Sequence, residues 1–328
     1  MINIRAAAAL FHFVHDPARH TALAKKRTYN GKQGQMVLLF SVMSIALTIM
    51  VPSTQASAKP KSFTLWQLPE QTHSQMMSYA IRTAGGKLIV IDGGTEGDAD
   101  YLRKFIVEQG GHVDVWFFTH PHSDHVGAPI EILKDPKGIT VDKIYASNLK
   151  VSEVQKYEPS SAHTQAEIDA VVKETNRRMI ELTLGAKLII DGVHFDILGI
   201  KNPEIHANYI NNSSIVMRVW DAEKSVIFLG DLGPEGGSKL LAGPYGKKLK
   251  SDYCQMAHHG QSGVRGDVYQ AIQPKYCLWT TPKWLWENDQ GGGYDTGPWT
   301  TMETRKWADE LQVKRNYATW KDGLVKID

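Results

Sequence analysis

The six residues His120-Pro121-His122-Ser123-Asp124-His125 follow directly on an apolar run, Val113-Asp114-Val115-Trp116-Phe117-Phe118-Thr119. Three imidazoles and one carboxylate at a strand end confine the chain to folds that gather such ends around an ion. On an extended segment residues two apart point to one face, so His120 and His122 can grip one ion. Asp124 and His125 then turn toward a second. Imidazole nitrogen and carboxylate oxygen without thiolate suit zinc, and manganese or iron with less preference; open coordination positions make such a site catalytic rather than structural.

Histidines also cluster by chance on surface loops, but chance does not place further ligand types at the ends of other strands. Residues Ser225-Val226-Ile227-Phe228-Leu229-Gly230-Asp231 read as a buried strand ending in a carboxylate. Tyr253-Cys254-Gln255-Met256-Ala257 reads as another, followed by His258-His259-Gly260. Upstream, Lys87-Leu88-Ile89-Val90-Ile91 ends in Asp92-Gly93-Gly94. Four strand ends thus converge on one kind of chemistry.

From about Phe63 to Asp328 the chain resembles the metallo-β-lactamase-fold hydrolases, whose His-x-His-x-Asp-His motif is highly specific. The resemblance implies an α/β fold, an αββα four-layer sandwich with two mixed β-sheets flanked by helices. It implies that His120 and His122 hold a first metal, Asp124 and His125 a second, and that Asp231 bridges both. His259 completes the second site by the same resemblance, while His258 faces the substrate. Most relatives carry a third first-site histidine before the bridging aspartate. Here that stretch holds Asn211-Asn212-Ser213-Ser214, an element similar to the branch containing the hydrolase domain of DNA-uptake competence proteins. Asn211 and Asn212 are therefore candidate first-site contributors, and the first site is expected to bind metal weakly. Three other histidines fall in the interval, His163, His194 and His206: His194 reads as a satisfied strand residue, and His206, near enough to Asn211 to substitute as a ligand, reads rather as a solvated loop residue.

Ligand chemistry supplies the expected reaction. Zinc lowers the pKa of bound water to about 7, and two ions about 3.5–4 Å apart can polarise a phosphoryl or carbonyl oxygen. Asp124, Asp231 and His258 form the expected catalytic group, with His258 donating a hydrogen bond or a proton to the substrate. Asp92 either orients a ligating imidazole from behind or caps the Gly93-Gly94 turn. The expected cofactor is two zinc ions, with manganese or iron as alternatives, and the expected function is a secreted phosphodiester hydrolase. Alternatives are a phosphorylcholine esterase-like enzyme, a lactone or β-lactam hydrolase and, from another class, a catalytically silent surface-binding module.

Residues 1–58 differ from the rest. Lys25, Lys26, Arg27 and Lys32 precede an uncharged apolar run, Met36 to Val51, and then Ala56-Ser57-Ala58. This pattern predicts an export leader cleaved after Ala58, leaving one hydrolase domain over 59–328 and a secreted product. A retained anchor is the alternative, although the run is shorter than the roughly 20 apolar residues of a spanning helix; through it alone would the protein touch a membrane. Six of the 37 Lys and Arg and one of the 35 Asp and Glu lie in the leader, so the remainder carries a formal charge of −3. Sequence-independent nucleic-acid binding needs a basic footprint, which weighs against that partner and leaves a phosphodiester small molecule or polymer.

Cys254 and Cys277 sit in segments that both read as strands, so they are free buried thiols or, if their Cα atoms fall within about 7 Å, a disulfide. Residues 160–182 carry a helical pattern of Ile168, Val171, Val172, Met179 and Ile180, with Ser160, Ser161 and Thr164 as caps. Residues 183–198 read as strand, Asp191-Gly192 turn, strand. Trp279, Trp284, Trp286 and Trp299 surround a Gly291-Gly292-Gly293 loop, suited to core packing or to stacking on a sugar, base or quaternary ammonium group.

Overall fold

Along residues 88–91 and 115–118 nearly every side chain is buried, and alternate ones go to different places. Leu88, Val90, Trp116 and Phe118 pack with helices, whereas Ile89, Ile91, Val115 and Phe117 pack against a second sheet. Strands covered on both faces read as continuous apolar runs for this reason. The second sheet behaves likewise: Val226, Phe228 and Leu278 point inward, while Ile227, Cys254, Cys277 and Trp279 join an outer helical layer.

The computed structural model describes residues 62–328; the expected leader and its cleavage point after Ala58 lie outside the described residues. In chain order the strands are β1 (Thr64–Gln67), β2 (Ser78–Arg82), β3 (Leu88–Asp92), β4 (His112–Phe118), β5 (Thr140–Ala146), β6 (Met179–Ile180), β7 (Lys187–Ile190), β8 (Val193–Gly199), β9 (Val216–Trp220), β10 (Ser225–Phe228), β11 (Tyr253–Gln255), β12 (Tyr276–Trp279), β13 (Arg315–Ala318) and β14 (Val325–Ile327). The helices are α1 (Ala99–Glu108), α2 (Ser123–Lys134), α3 (Val151–Tyr157), α4 (Ala162–Glu174), α5 (Pro234–Ala242), α6 (Gly266–Ile272), α7 (Lys283–Trp286), α8 (Thr301–Glu310) and α9 (Thr319–Asp322).

One sheet has the order β14-β1-β2-β3-β4-β5-β6 and the other β13-β12-β11-β10-β9-β8-β7. Each is mixed. The first runs antiparallel from β14 to β3 and parallel from β3 to β6. In the second, β10 to β13 are parallel and β7 to β10 antiparallel. Helices α1, α2 and α4 cover the first sheet and α5, α6 and α8 the second, giving the expected αββα sandwich. Among the described residues no helix is long and apolar enough to cross a membrane.

Three expectations are corrected. The helix over 160–182 ends at Glu174, and Met179 and Ile180 form β6 beside β5. Asn176 is the reason: it adopts φ 53°, the left-handed conformation that commonly closes a helix. Ser161 occupies the cap position, yet its hydroxyl bonds Glu158 rather than a helical amide. The strand expected to reach Ala257 stops at Gln255, because Ala257 opens a 3-10 turn. Cys254 and Cys277 lie opposite each other in the β11–β12 register as free, buried thiols. The 183–198 hairpin forms as read, with Asp191 and Gly192 at φ 48° and 82°.

Candidate metal centre

All four chemistry-bearing strand ends come to one edge of the sandwich. After β4 the chain bends at Thr119 and His120; His122, extended at φ −78°, ψ 153°, holds the N-cap position of α2, so Asp124 and His125 lie in that helix's first turn. This path brings His120 Nε2 within 3.1 Å of His122 Nδ1. From the end of β3, the Asp92 carboxylate accepts hydrogen bonds from the Thr119 amide at 2.7 Å and hydroxyl at 2.6 Å. It also meets His125 Nδ1 at 2.8 Å, which leaves His125 Nε2 pointing at Asp231 Oδ1, 3.2 Å away. Asp92 thus orients the His125 ring, the first of its two expected roles.

Asp231 sits at the centre. Its amide donates to Ser214 Oγ at 3.0 Å, and its Oδ2 lies 3.9 Å from His120 Nε2, 3.7 Å from His259 Nε2 and 3.8 Å from His258 Nε2. The His258-His259-Gly260 turn takes three consecutive positive φ angles, 51°, 55° and 87°. Non-glycine residues hold such conformations only when neighbours over-determine them. Here the His258 amide donates to Gly230 O, Thr281 Oγ1 donates to His259 O, and His259 Nδ1 donates to Thr280 O at 2.8 Å. The result aims His259 Nε2 at Asp124 Oδ2, 3.2 Å away, with the ring fully buried.

At this edge two ligand groups emerge, Asp124–His125–Asp231–His259 and His120–His122–Asp231, each with its donor atoms within 4.8 Å of one another. They share Asp231. His125 Nε2, His259 Nε2 and Asp231 Oδ1 are buried and make no well-aligned hydrogen bond among the described residues, the two imidazole nitrogens facing carboxylate oxygens at 3.2 Å, the arrangement left when ligand atoms converge on a shared point. A divalent cation satisfies all three, so the residues fit a metal. Electrostatics agrees. Burial opposes charge on His125, yet Asp231 and Asp92 raise its pKa well above the ordinary histidine value. Burial likewise opposes the Asp231 charge, but the histidines around it hold its pKa far down. The pocket therefore favours positive charge at its centre. His120 and His258 are pushed the other way, chiefly by burial, toward neutral rings.

The two asparagines part company. Asn212 is a loop clamp and not a ligand: its Oδ1 accepts from the Gly233 and Gly236 amides, and its Nδ2 donates to Ala207 O and Glu235. Asn211 reaches the site, with Nδ2 3.4 Å from His258 Nε2 and a buried Oδ1 that has no partner among the described residues. His194 stacks on Trp220 and His206 on Tyr157, while exposed His163 faces Glu167. Trp279 is core and Trp286 packs edge-on against it. Trp284 and Trp299 form a half-buried pair 4.8 Å apart. Sequence reasoning missed Glu158, whose Oε1 lies 2.5 Å from His122 Nε2.

Fold and site together define a metallo-β-lactamase-fold protein. Residues 73–141 match the family model described as the Metallo-beta-lactamase superfamily, a span that contains the whole His120–His125 motif. No curated protein sequence matches the chain. Among solved structures it is similar to YhfI, a metallo-beta-lactamase fold protein from Bacillus subtilis, at 14% identity and a TM-score of 0.50, covering 82% of this chain and 100% of that one. It is also similar to CmlA, a diiron beta-hydroxylase from Streptomyces venezuelae, at 12% identity and a TM-score of 0.50, covering 82% of this chain and 54% of that one. At these identities the likeness concerns the fold.

Proposed function

We propose that this protein is a divalent-metal-dependent hydrolase acting on a phosphodiester-type bond. The observation that carries the proposal is Asp231: one buried carboxylate shared by two ligand groups, each completed by imidazoles from other strand ends. His120, His122 and Asp231 would hold one cation, and Asp124, His125, Asp231 and His259 the other. Bound there, zinc or a related ion supplies Lewis acidity and an activated water at neutral pH. The protein's own groups then divide the remaining work. Asp92 and Glu158 fix ring orientations at His125 and His122. His258 is 19% exposed with Nε2 near Asp231, so it is placed to donate a proton or hydrogen bond to the anionic oxygen of a substrate. Asn211 Nδ2 donates to that nitrogen at 3.4 Å, so Nε2 gives up this contact and takes a proton before it donates to a substrate.

The phosphodiester assignment draws further support from the Asn211-Asn212-x-Ser214 and His258-His259-Gly260 elements and their resemblance to phosphodiesterase-like branches. Zinc- or manganese-loaded protein is expected to hydrolyse bis(p-nitrophenyl) phosphate. A panel containing a β-lactam, an acyl homoserine lactone and p-nitrophenyl phosphorylcholine runs alongside. Cleavage confined to the β-lactam or lactone refutes the phosphodiester assignment, and a chain that loads metal but cleaves none of them favours a silent binding module.

A further inference from the structure

Glu158 lies outside every strand end that the sequence marked, and it touches the centre nonetheless. Helix α3 stops at Tyr157; Glu158 takes a non-helical backbone (φ −150°, ψ 64°) before Pro159, as residues preceding proline generally must. That break swings its carboxylate out of the helical line. One oxygen lies 2.5 Å from His122 Nε2 and accepts from Ser161 Oγ at 3.3 Å; the other accepts the Ile210 amide at 3.1 Å. Ile210 immediately precedes the 3-10 turn Asn211–Ser213. The carboxylate therefore ties together the α3–α4 connection, the second histidine of the motif and the loop bearing Asn211.

We infer that Glu158 is the positioning residue of the first half-site, holding His122 with its proton on Nε2 so that Nδ1 is the atom left to ligate. The inference rests on the metal reading above. Its geometric support is the reversed pairing of the two half-sites. Asp92 takes Nδ1 of His125 and leaves Nε2 facing Asp231, whereas Glu158 takes Nε2 of His122 and leaves Nδ1 facing His120 Nε2 at 3.1 Å. Each half-site thus has one carboxylate behind one imidazole, on whichever nitrogen faces away from its other ligands. Such partners fix the tautomer and raise ligand basicity, and their loss lowers metal affinity about 10–100-fold. Among the described residues the first half-site has only two histidines and shared Asp231, so its occupancy depends on Glu158 while that of the second does not.

The experiment compares the full chain with Glu158→Ala and Glu158→Gln by zinc calorimetry with metal analysis. Metal-free samples are also examined by long-range 1H–15N spectra, with His122 assigned through His122→Gln. Glu158→Ala is expected to weaken one zinc-binding step by about 10–100-fold and leave the other unchanged. Glu158→Gln, which keeps an acceptor but loses the charge, is expected to fall between. The His122 signals should show the Nε2–H form in the unmodified chain and a tautomer mixture in Glu158→Ala, with the far-ultraviolet dichroism of all variants alike. Two unchanged zinc steps overturn the inference. If the unmodified chain takes up no zinc, the metal reading fails, and the tautomer spectra judge Glu158 by themselves: an Nε2–H ring retained in Glu158→Ala overturns its positioning role.

Discussion

Replacing Gly260 with alanine strikes the turn that presents His259. Gly260 has φ +87°, and a Cβ there would lie 2.4 and 2.5 Å from Cζ3 and Cε3 of Trp279. Trp279 cannot give way easily: it is fully buried, its indole donates to Asn316 Oδ1 at 2.9 Å, and Trp286 packs edge-on at 5.1 Å. Left-handed backbone for an L-residue costs roughly 1–2 kcal/mol, and overpacking a rigid core site roughly 1–3 kcal/mol. The sum, about 2–5 kcal/mol, is a large part of a typical total of about 5–15 kcal/mol. Urea denaturation followed by dichroism measures it. Gly293→Ala is the internal control, since Gly293 also has positive φ (104°) but nothing lies within 4 Å of its would-be Cβ; only the backbone cost of about 1–2 kcal/mol should appear. Equal losses at the two positions would refute the packing argument.

Two further perturbations probe the scaffold. Asn212→Ala removes the acceptor of the Gly233 and Gly236 amides, and the orphaned donors are expected to cost about 2–4 kcal/mol in denaturant melts; a loss below about 0.5 kcal/mol would contradict the clamp. Asp252 is held below the usual carboxylate range: burial opposes its charge, but hydrogen bonds from Lys275 and Ser225 outweigh it. A carboxylate whose folded pKa is depressed stabilises the fold above its unfolded value of about 3.9 and loses that contribution as pH falls toward the folded pKa. The stability gap between the unmodified chain and Asp252→Asn should therefore be full near pH 7 and shrink below about pH 4, and a gap that does not change with pH would contradict the ion pair.

What the sequence made legible were features written in contiguous residues. The motif at the end of β4, the carboxylates ending β3 and following β10, and the paired histidines after β11 all sit where period-two strands stop, so the sandwich and the gathering of its ends could be anticipated. Features set by tertiary contact were not visible. Glu158 is 36 residues from His122 in sequence, among helical residues with no other metal-type side chain beside it; its one local sign is the proline that follows. Asn212 shares a motif with Asn211, yet only the fold shows that one carboxamide is used up by the Gly233 and Gly236 amides at the N-terminus of α5. The strand at Met179 was masked because its apolar spacing continues that of α4, and the left-handed Asn176 that separates them is ambiguous in sequence.

Whether Asp231 joins two metal half-sites is decided by metal stoichiometry in the purified chain and in Asp231→Ala. About two zinc ions per chain are expected in the unmodified protein, with bound metal falling in both half-sites and bis(p-nitrophenyl) phosphate hydrolysis abolished in Asp231→Ala while the dichroism spectrum is retained. A folded unmodified chain that binds no divalent ion, or an Asp231→Ala variant that keeps both ions at undiminished affinity, would contradict the account.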